Sequence, residues 1–174
     1  MANDSNLKYQ DRIDKGRARE KVIMQELTKS GFEITPASNL DDILKGIDCY
    51  AKIKGRTYST QIKARQSSED LLFVITEDNK PSKDMKTQAE LYAFLIKGQM
   101  YLIEAHQVRK TLITLVDLMN GSKSKCVISY KGVDCEMSYQ VDPVKRSVKL
   151  MAFIPTSLFT DVIDPVIPAF RMDF

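Results

Sequence analysis

The segment "GIDCYAKIKGRTYSTQIKAR", residues 46–65, puts an acid, an amide and a lysine on one side of a short hairpin. With period-2 alternation, Asp48, Tyr50 and Lys52 point one way, and Ile47, Cys49, Ala51 and Ile53 point the other. Lys54-Gly55 supplies the turn. The return strand sends Thr57, Ser59, Gln61, Lys63 and Arg65 to one face, and Tyr58, Thr60, Ile62 and Ala64 to the opposite one, which suits a core. Gln61 and Lys63 therefore share a face, and Asp48 approaches them across the hairpin. A hard divalent cation takes oxygen ligands, and three are on offer: the Asp48 carboxylate, the Gln61 amide oxygen and the Ile62 backbone carbonyl. A Lys63 ammonium beside such a cation can place or deprotonate a water and steady charge on a phosphate. Metal-assisted hydrolysis of a phosphodiester is the reaction these groups suit. Taken singly, each has an ordinary reading as well. Lys63 and Arg65 are also what a solvated strand carries, Gln61 a surface amide, and Asp48 a partner for Lys52.

The elements around the hairpin must position these groups. A helix is expected from about Asp14, as N-cap, to Lys29, with Gly31 just beyond it. Ile13, Gly16, Ile23, Met24 and Leu27 fall on one arc of that helix, and Glu20 lies in the middle of it. A carboxylate on a buried stripe is costly unless something compensates its desolvation. Two readings follow: Glu20 reaches a cation, or the helix end is exposed there and basic neighbours neutralise it. "FEITPAS" reads as a short strand, "NLDDILKG" as a loop and "DLLFVIT" as a strand. Ser82 caps an expected helix over 83–97, with Met85, Ala89, Tyr92, Ala93 and Ile96 inward and Gly98 ending it. "MYLIEA" is a strand, and "HQVRKTLITLVDLMNG" a helix with Val108, Leu112, Leu115, Val116 and Met119 inward. The last third reads as a hairpin, "KCVISYKGVDCEMSYQV", a further strand, "SVKLMAFIP", and an irregular docked tail.

Composition narrows the class. The 174 residues, 43% hydrophobic and 28% charged, suit one domain with a real core. No apolar run approaches the roughly 20 residues of a membrane span, and the first residues lack the apolar core of a secretory signal. Cys49, Cys126 and Cys135 form no CxxC pair, and with His106 alone they make a poor zinc set. They read as reduced thiols of a cytoplasmic protein. The net charge of +3 permits an anionic partner. Its distribution says more: basic residues including Arg19 crowd the first helix, and others including Lys52 crowd the hairpin beside the polar face. That placement favours a polyanion there.

"GID" followed by "QIK" resembles the PD-(D/E)XK nuclease superfamily, and within it the Mrr-like restriction endonucleases, which often carry Gln before xK. "RAREKVIMQELTKSGFEI" is similar to the helix that precedes the motif, and "TQAELYAF" to a helix start that follows it. The resemblance spans roughly residues 12–118. It implies a restriction-endonuclease-like α/β fold, a mixed β-sheet flanked by helices over 1–120, and leaves uncovered residues 121–174, which read as a β-rich C-terminal elaboration with a docked tail, in the same domain or a small subdomain. It implies further that Asp48 is the central metal ligand, Gln61 fills the second ligand slot, Lys63 is the catalytic lysine and Glu20 the auxiliary acid. Arg65, Gln66 and Ser67, directly after the motif, would contact nucleic acid, as would Lys52 and Arg19. The implied cofactor is Mg²⁺, with Mn²⁺ as substitute, and the implied partner is DNA. Two features depart from the pattern: Asp48 follows "GI" rather than Pro, and Gln61 is neutral, which lowers the expected metal affinity.

The expected function is therefore a metal-dependent DNA endonuclease of restriction, repair or phage type, in the cytoplasm of a bacterial or phage-infected cell. Two alternatives stand beside it. One is a non-catalytic nucleic-acid-binding module on a degenerate nuclease fold, for which Gln61 speaks. The other is a resolvase of branched DNA such as Holliday junctions, which would act as a homodimer.

Overall fold

A computed structural model describes residues 2–65, 70–96, 99–122, 124–143, 145–160 and 170–171. The chain is mixed α/β and builds two sheets. The first holds β1 (Glu33–Pro36), β2 (Cys49–Ile53), β3 (Arg56–Arg65), β6 (Leu91–Ile96), β7 (Gln99–Glu104) and β11 (Phe170–Arg171), in the order β1-β2-β3-β6-β7-β11. The second holds β4 (Asp70–Glu77), β5 (Lys80–Pro81), β8 (Cys126–Tyr130), β9 (Val133–Val141) and β10 (Val148–Pro155), in the order β5-β4-β10-β9-β8. Helices α1 (Ala2–Lys29), α2 (Lys83–Lys86), α3 (Ala105–Met119) and α4 (Ser157–Thr160) complete the chain. The β2–β3 hairpin turns at Lys54 and Gly55, both at positive φ, the geometry that matches the twist of the two strands.

Alternation along the central strands decides the layers. Cys49, Ala51, Ile62, Leu91, Ala93, Met100 and Leu102 form one face of the first sheet and pack under Ile23 and Leu27 of α1. Tyr92, Phe94 and Ile103 form the opposite face and meet Leu71, Phe73, Met137, Ala152 and Ile154 of the second sheet, with Val108, Leu112 and Leu115 of α3. Phe73 stands edge-on to Tyr92 and to Phe94, with centroids 5.6 and 5.5 Å apart. The C-terminal third is built into this core, since β4 pairs along β10.

The helix expected over 83–97 does not form. Only Lys83–Lys86 is helical; Thr87 leaves the helix at ψ 137°, and Leu91–Ile96 is strand β6. β6 runs parallel to β3 and antiparallel to β7 and is covered on both faces, so every position from Leu91 to Phe94 is buried. A strand buried on both sides loses its polar alternation, and a continuous apolar run of that kind can also be laid out as a helical stripe. Gly98, the expected stop of that helix, lies outside the described residues, as do 161–169 and 172–174 of the tail. Two smaller differences concern the first half. α1 starts at Ala2 rather than near Asp14, and the expected loop contains a π-helical turn, Asp41–Lys45, closed by Gly46 at φ 67°. Among the described residues no helix is long and apolar enough to cross a membrane.

Candidate active site

Asp48 lies where the hairpin opens. The β2–β3 ladder ends at the Cys49–Thr60 pair, and one step further the Asp48 N–H donates to Thr60 O at 2.9 Å. The Asp48 side chain then takes over from the missing strand: its Oδ2 accepts the Ile62 N–H at 2.6 Å. In an extended strand a residue's N–H and C=O point to the same edge, so the Ile62 carbonyl faces Asp48's side too. By register Asp48 and Gln61 share a face, as the alternation required.

The electrostatics of this corner are unbalanced. Burial pushes the Asp48 carboxyl up to about 7; the Ile62 N–H works against the shift, and the neighbouring Glu20 adds to it. Burial, and then Asp42, also raise Glu20, which α1 holds half-buried. Gln61 is 4% exposed, and its Oε1 is fully buried with no hydrogen-bond partner. A buried carbonyl oxygen left without a donor costs about 1–3 kcal/mol, so it marks a place where something is to be accepted. A divalent cation held at this corner would offset the Asp48 and Glu20 carboxylates, and Gln61 Oε1 and the Ile62 carbonyl are the further oxygens it could take. Among the described residues no group of three or more His, Cys, Asp or Glu side chains is arranged to hold a metal ion. A cation here would thus rest on Asp48, the Gln61 amide and the Ile62 carbonyl with water completing the shell, which is the style of Mg²⁺ sites.

Two lysines flank the corner. Lys63 forms an ion pair with Asp84, whose side chain is buried. Lys83 donates to Asp42 at 2.5 Å. Burial opposes the charge of Lys83, yet Asp42, Asp48 and Glu20 outweigh it and hold the ammonium above the ordinary lysine value. Gly46 makes room for Lys83: a Cβ there would stand 3.4 Å from Lys83 Cε and 3.1 Å from Thr87 Oγ1.

The structure thus brings Asp48 onto the Ile62 N–H and within electrostatic reach of Glu20, leaves Gln61 on the face of Asp48 by register, and turns Lys63 toward Asp84. Lys52 is exposed and pairs with Glu33 at 2.7 Å, which removes the alternative pairing with Asp48. Arg19 is exposed on α1 beside Glu20. Arg65 ends β3 with its side chain outside the described residues, and Gln66 and Ser67 lie outside them altogether. Cys49 is buried, its thiol pushed up by burial to about 12, as an inert core cysteine. The sequence reading missed Asp42, Lys83 and Asp84. Lys83 and Asp84 fall in the expected helix start, and Asp42 in the expected loop, where charged residues are ordinary. The available signal was a pair of acids shortly before a buried acid, followed by a capped Lys-Asp dipeptide.

No protein-family model and no curated protein matches the chain. Among solved structures, the fold overlaps a bacterial homing endonuclease at 10% identity and a TM-score of 0.39, over 55% of this chain and 70% of that one. An overlap that loose carries no argument about function.

Proposed function

We propose that the protein is a metal-dependent endonuclease that hydrolyses phosphodiester bonds in DNA, with the Asp48 corner as its centre. The observation that carries this reading is the buried, unpartnered Gln61 oxygen on the same face as a carboxylate that burial pushes toward neutrality. Those two groups are destabilising as they stand and become favourable around a cation. Asp48, Gln61 and the Ile62 carbonyl would hold Mg²⁺ or Mn²⁺, with Glu20 reaching it directly or through water. Bound there, the metal supplies Lewis-acid polarisation of a phosphate and a more acidic water. Asp48 fixes the position, because its second role, closing the end of the hairpin on Ile62, leaves its carboxylate little freedom. Lys63, on the same strand face as Gln61, presents N–H donors toward phosphate oxygens. DNA is the substrate that the PD-(D/E)XK resemblance implies, and the basic side chains of the hairpin and α1 support a polyanion.

A non-catalytic nucleic-acid-binding module is the second reading. It is favoured by the lack, among the described residues, of a three-acid metal group. Both readings meet one experiment: supercoiled plasmid, single-stranded circular DNA and a four-way junction, incubated with Mg²⁺, Mn²⁺ or EDTA, for wild type and Lys63→Ala. Metal-dependent cleavage lost in the variant is the expected result. Retardation of DNA on a gel with no cleavage of any of the three substrates would replace the nuclease by the binding module.

A further inference from the structure

The lysine of the proposed site has a carboxylate of its own, and the second sheet holds that carboxylate. Asp84 Oδ1 pairs with Lys63 Nζ, and Asp84 Oδ2 accepts the Val74 N–H at 2.9 Å. Asp84 is 4% exposed, so its charge is tolerable only because both oxygens are engaged. The segment around it is bolted to β4. The Ser82 N–H donates to Ile75 O at 3.0 Å, Ser82 Oγ donates to Val74 O, and the Met85 N–H returns to Ser82 Oγ at 3.4 Å. From the first sheet, Tyr92 OH donates to Asp84 O at 2.9 Å. β4 in turn is paired along its length with β10.

We propose that Asp84 is a positioning residue that aims the Lys63 ammonium at the phosphate of a bound substrate, and that the second sheet is thereby part of the cleavage machinery. The inference rests on the nuclease reading above. An ammonium carries three donors on a flexible four-carbon stem. Asp84 takes one donor and so fixes the direction of the stem, leaving two for the substrate. Asp84 itself touches neither metal nor DNA. Because its oxygens are set by a β4 amide, the placement of Lys63 depends on strands contributed by the C-terminal third.

The test is plasmid cleavage kinetics of Asp84→Asn, which keeps an acceptor for the Val74 N–H and removes the ion pair. The expected result is a fall in kcat of about 10²-fold, the scale of a 1 Å misplacement. KM and Mn²⁺ affinity stay unchanged, and the double variant K63A/D84N cuts no more slowly than K63A. Ser82→Ala, which loosens the same segment but keeps the carboxylate, gives a smaller loss in kcat alone and serves if Asp84→Asn does not fold. Wild-type kcat in Asp84→Asn, altered Mn²⁺ affinity, or a further loss on top of K63A overturns the inference while the nuclease reading stands. A wild type that cuts no DNA overturns the nuclease reading and this inference together.

Discussion

Two polar pairs share one face of the first sheet, and they are in opposite condition. Lys63 and Asp84 form a closed account: a buried carboxylate with both oxygens engaged and a lysine neutralised by it. Asp48 and Gln61 are open: the carboxyl is pushed to about 7, and the amide oxygen has no donor. Burial is severe in both places, so the difference lies in how the charge is matched: Asp84 is bonded directly to the Lys63 ammonium, whereas Lys83, the cation that acts on Asp48, is bonded to Asp42. The closed pair is a structural commitment that removal of either partner would expose. The open pair costs stability as it stands, which is what the proposed cation would relieve.

Breaking the two pairs should therefore have different signatures. The largest effect is on catalysis: Asp48→Ala should reduce metal-dependent cleavage by at least ~10³-fold and abolish Mn²⁺ binding, measured by plasmid nicking and by metal titration. Retained Mn²⁺ binding in that variant would move the metal away from Asp48. Next comes stability at the closed pair. Lys63→Ala leaves Asp84 buried and alone, and should lower unfolding free energy by about 3–5 kcal/mol in denaturant titration. K63A/D84N should recover most of that loss, and equal stabilities for the single and double variants would dissolve the pairing.

The open pair predicts a pH dependence of the metal-free protein. The folded pKa of Asp48 lies above its unfolded value of roughly 3.9. Between the two values the folded state keeps a proton that the unfolded state has released. Stability contributed by Asp48 is therefore present at low pH and lost as pH rises toward about 7, where the slope levels off. Glu20, raised by burial, acts in the same direction. In EDTA, the thermal midpoint of wild type minus that of Asp48→Asn should fall between pH 5 and pH 7. A flat difference would mean that Asp48 is not desolvated. Saturating Mg²⁺ should oppose the slope, because a cation held by ionised Asp48 binds more tightly, and so stabilises the folded state more, as pH rises.

Smaller effects sharpen the comparison. Gln61→Leu removes the orphan oxygen and should leave the metal-free protein as stable as wild type or more so, by up to about 1–3 kcal/mol, while weakening Mn²⁺ binding. A clear loss of stability would show that the Gln61 oxygen is satisfied after all. Lys52→Ala, at an exposed pair with Glu33, should change stability by less than about 1 kcal/mol while reducing the salt dependence of DNA retardation.

Much of the candidate site was legible because it depends on local geometry. Period-2 alternation placed Asp48, Gln61 and Lys63 on one face and Cys49 in the core. The stripe containing Ile23 and Leu27 put Glu20 on the side of α1 that meets the sheet. The helix with Val108, Leu112 and Leu115 inward formed as its 3.6-residue spacing required. The segment 83–97 was illegible for a physical reason. Its hydrophobic positions satisfy a helix and a twice-covered strand equally well, and only the presence of a second sheet across Tyr92 and Phe94 selects the strand.

What the sequence determined by itself, then, is which groups can do chemistry and which way their strands present them, because alternation is a property of the backbone alone. What only the tertiary structure decided is the state of those groups. Asp48 is raised because burial and the neighbouring charges of α1 and the Asp41–Lys45 turn act on it, and Lys63 is paired because α2, tied to β4, carries a carboxylate to it. Charge and desolvation are set by everything within a few ångströms, and most of those neighbours are far away along the chain.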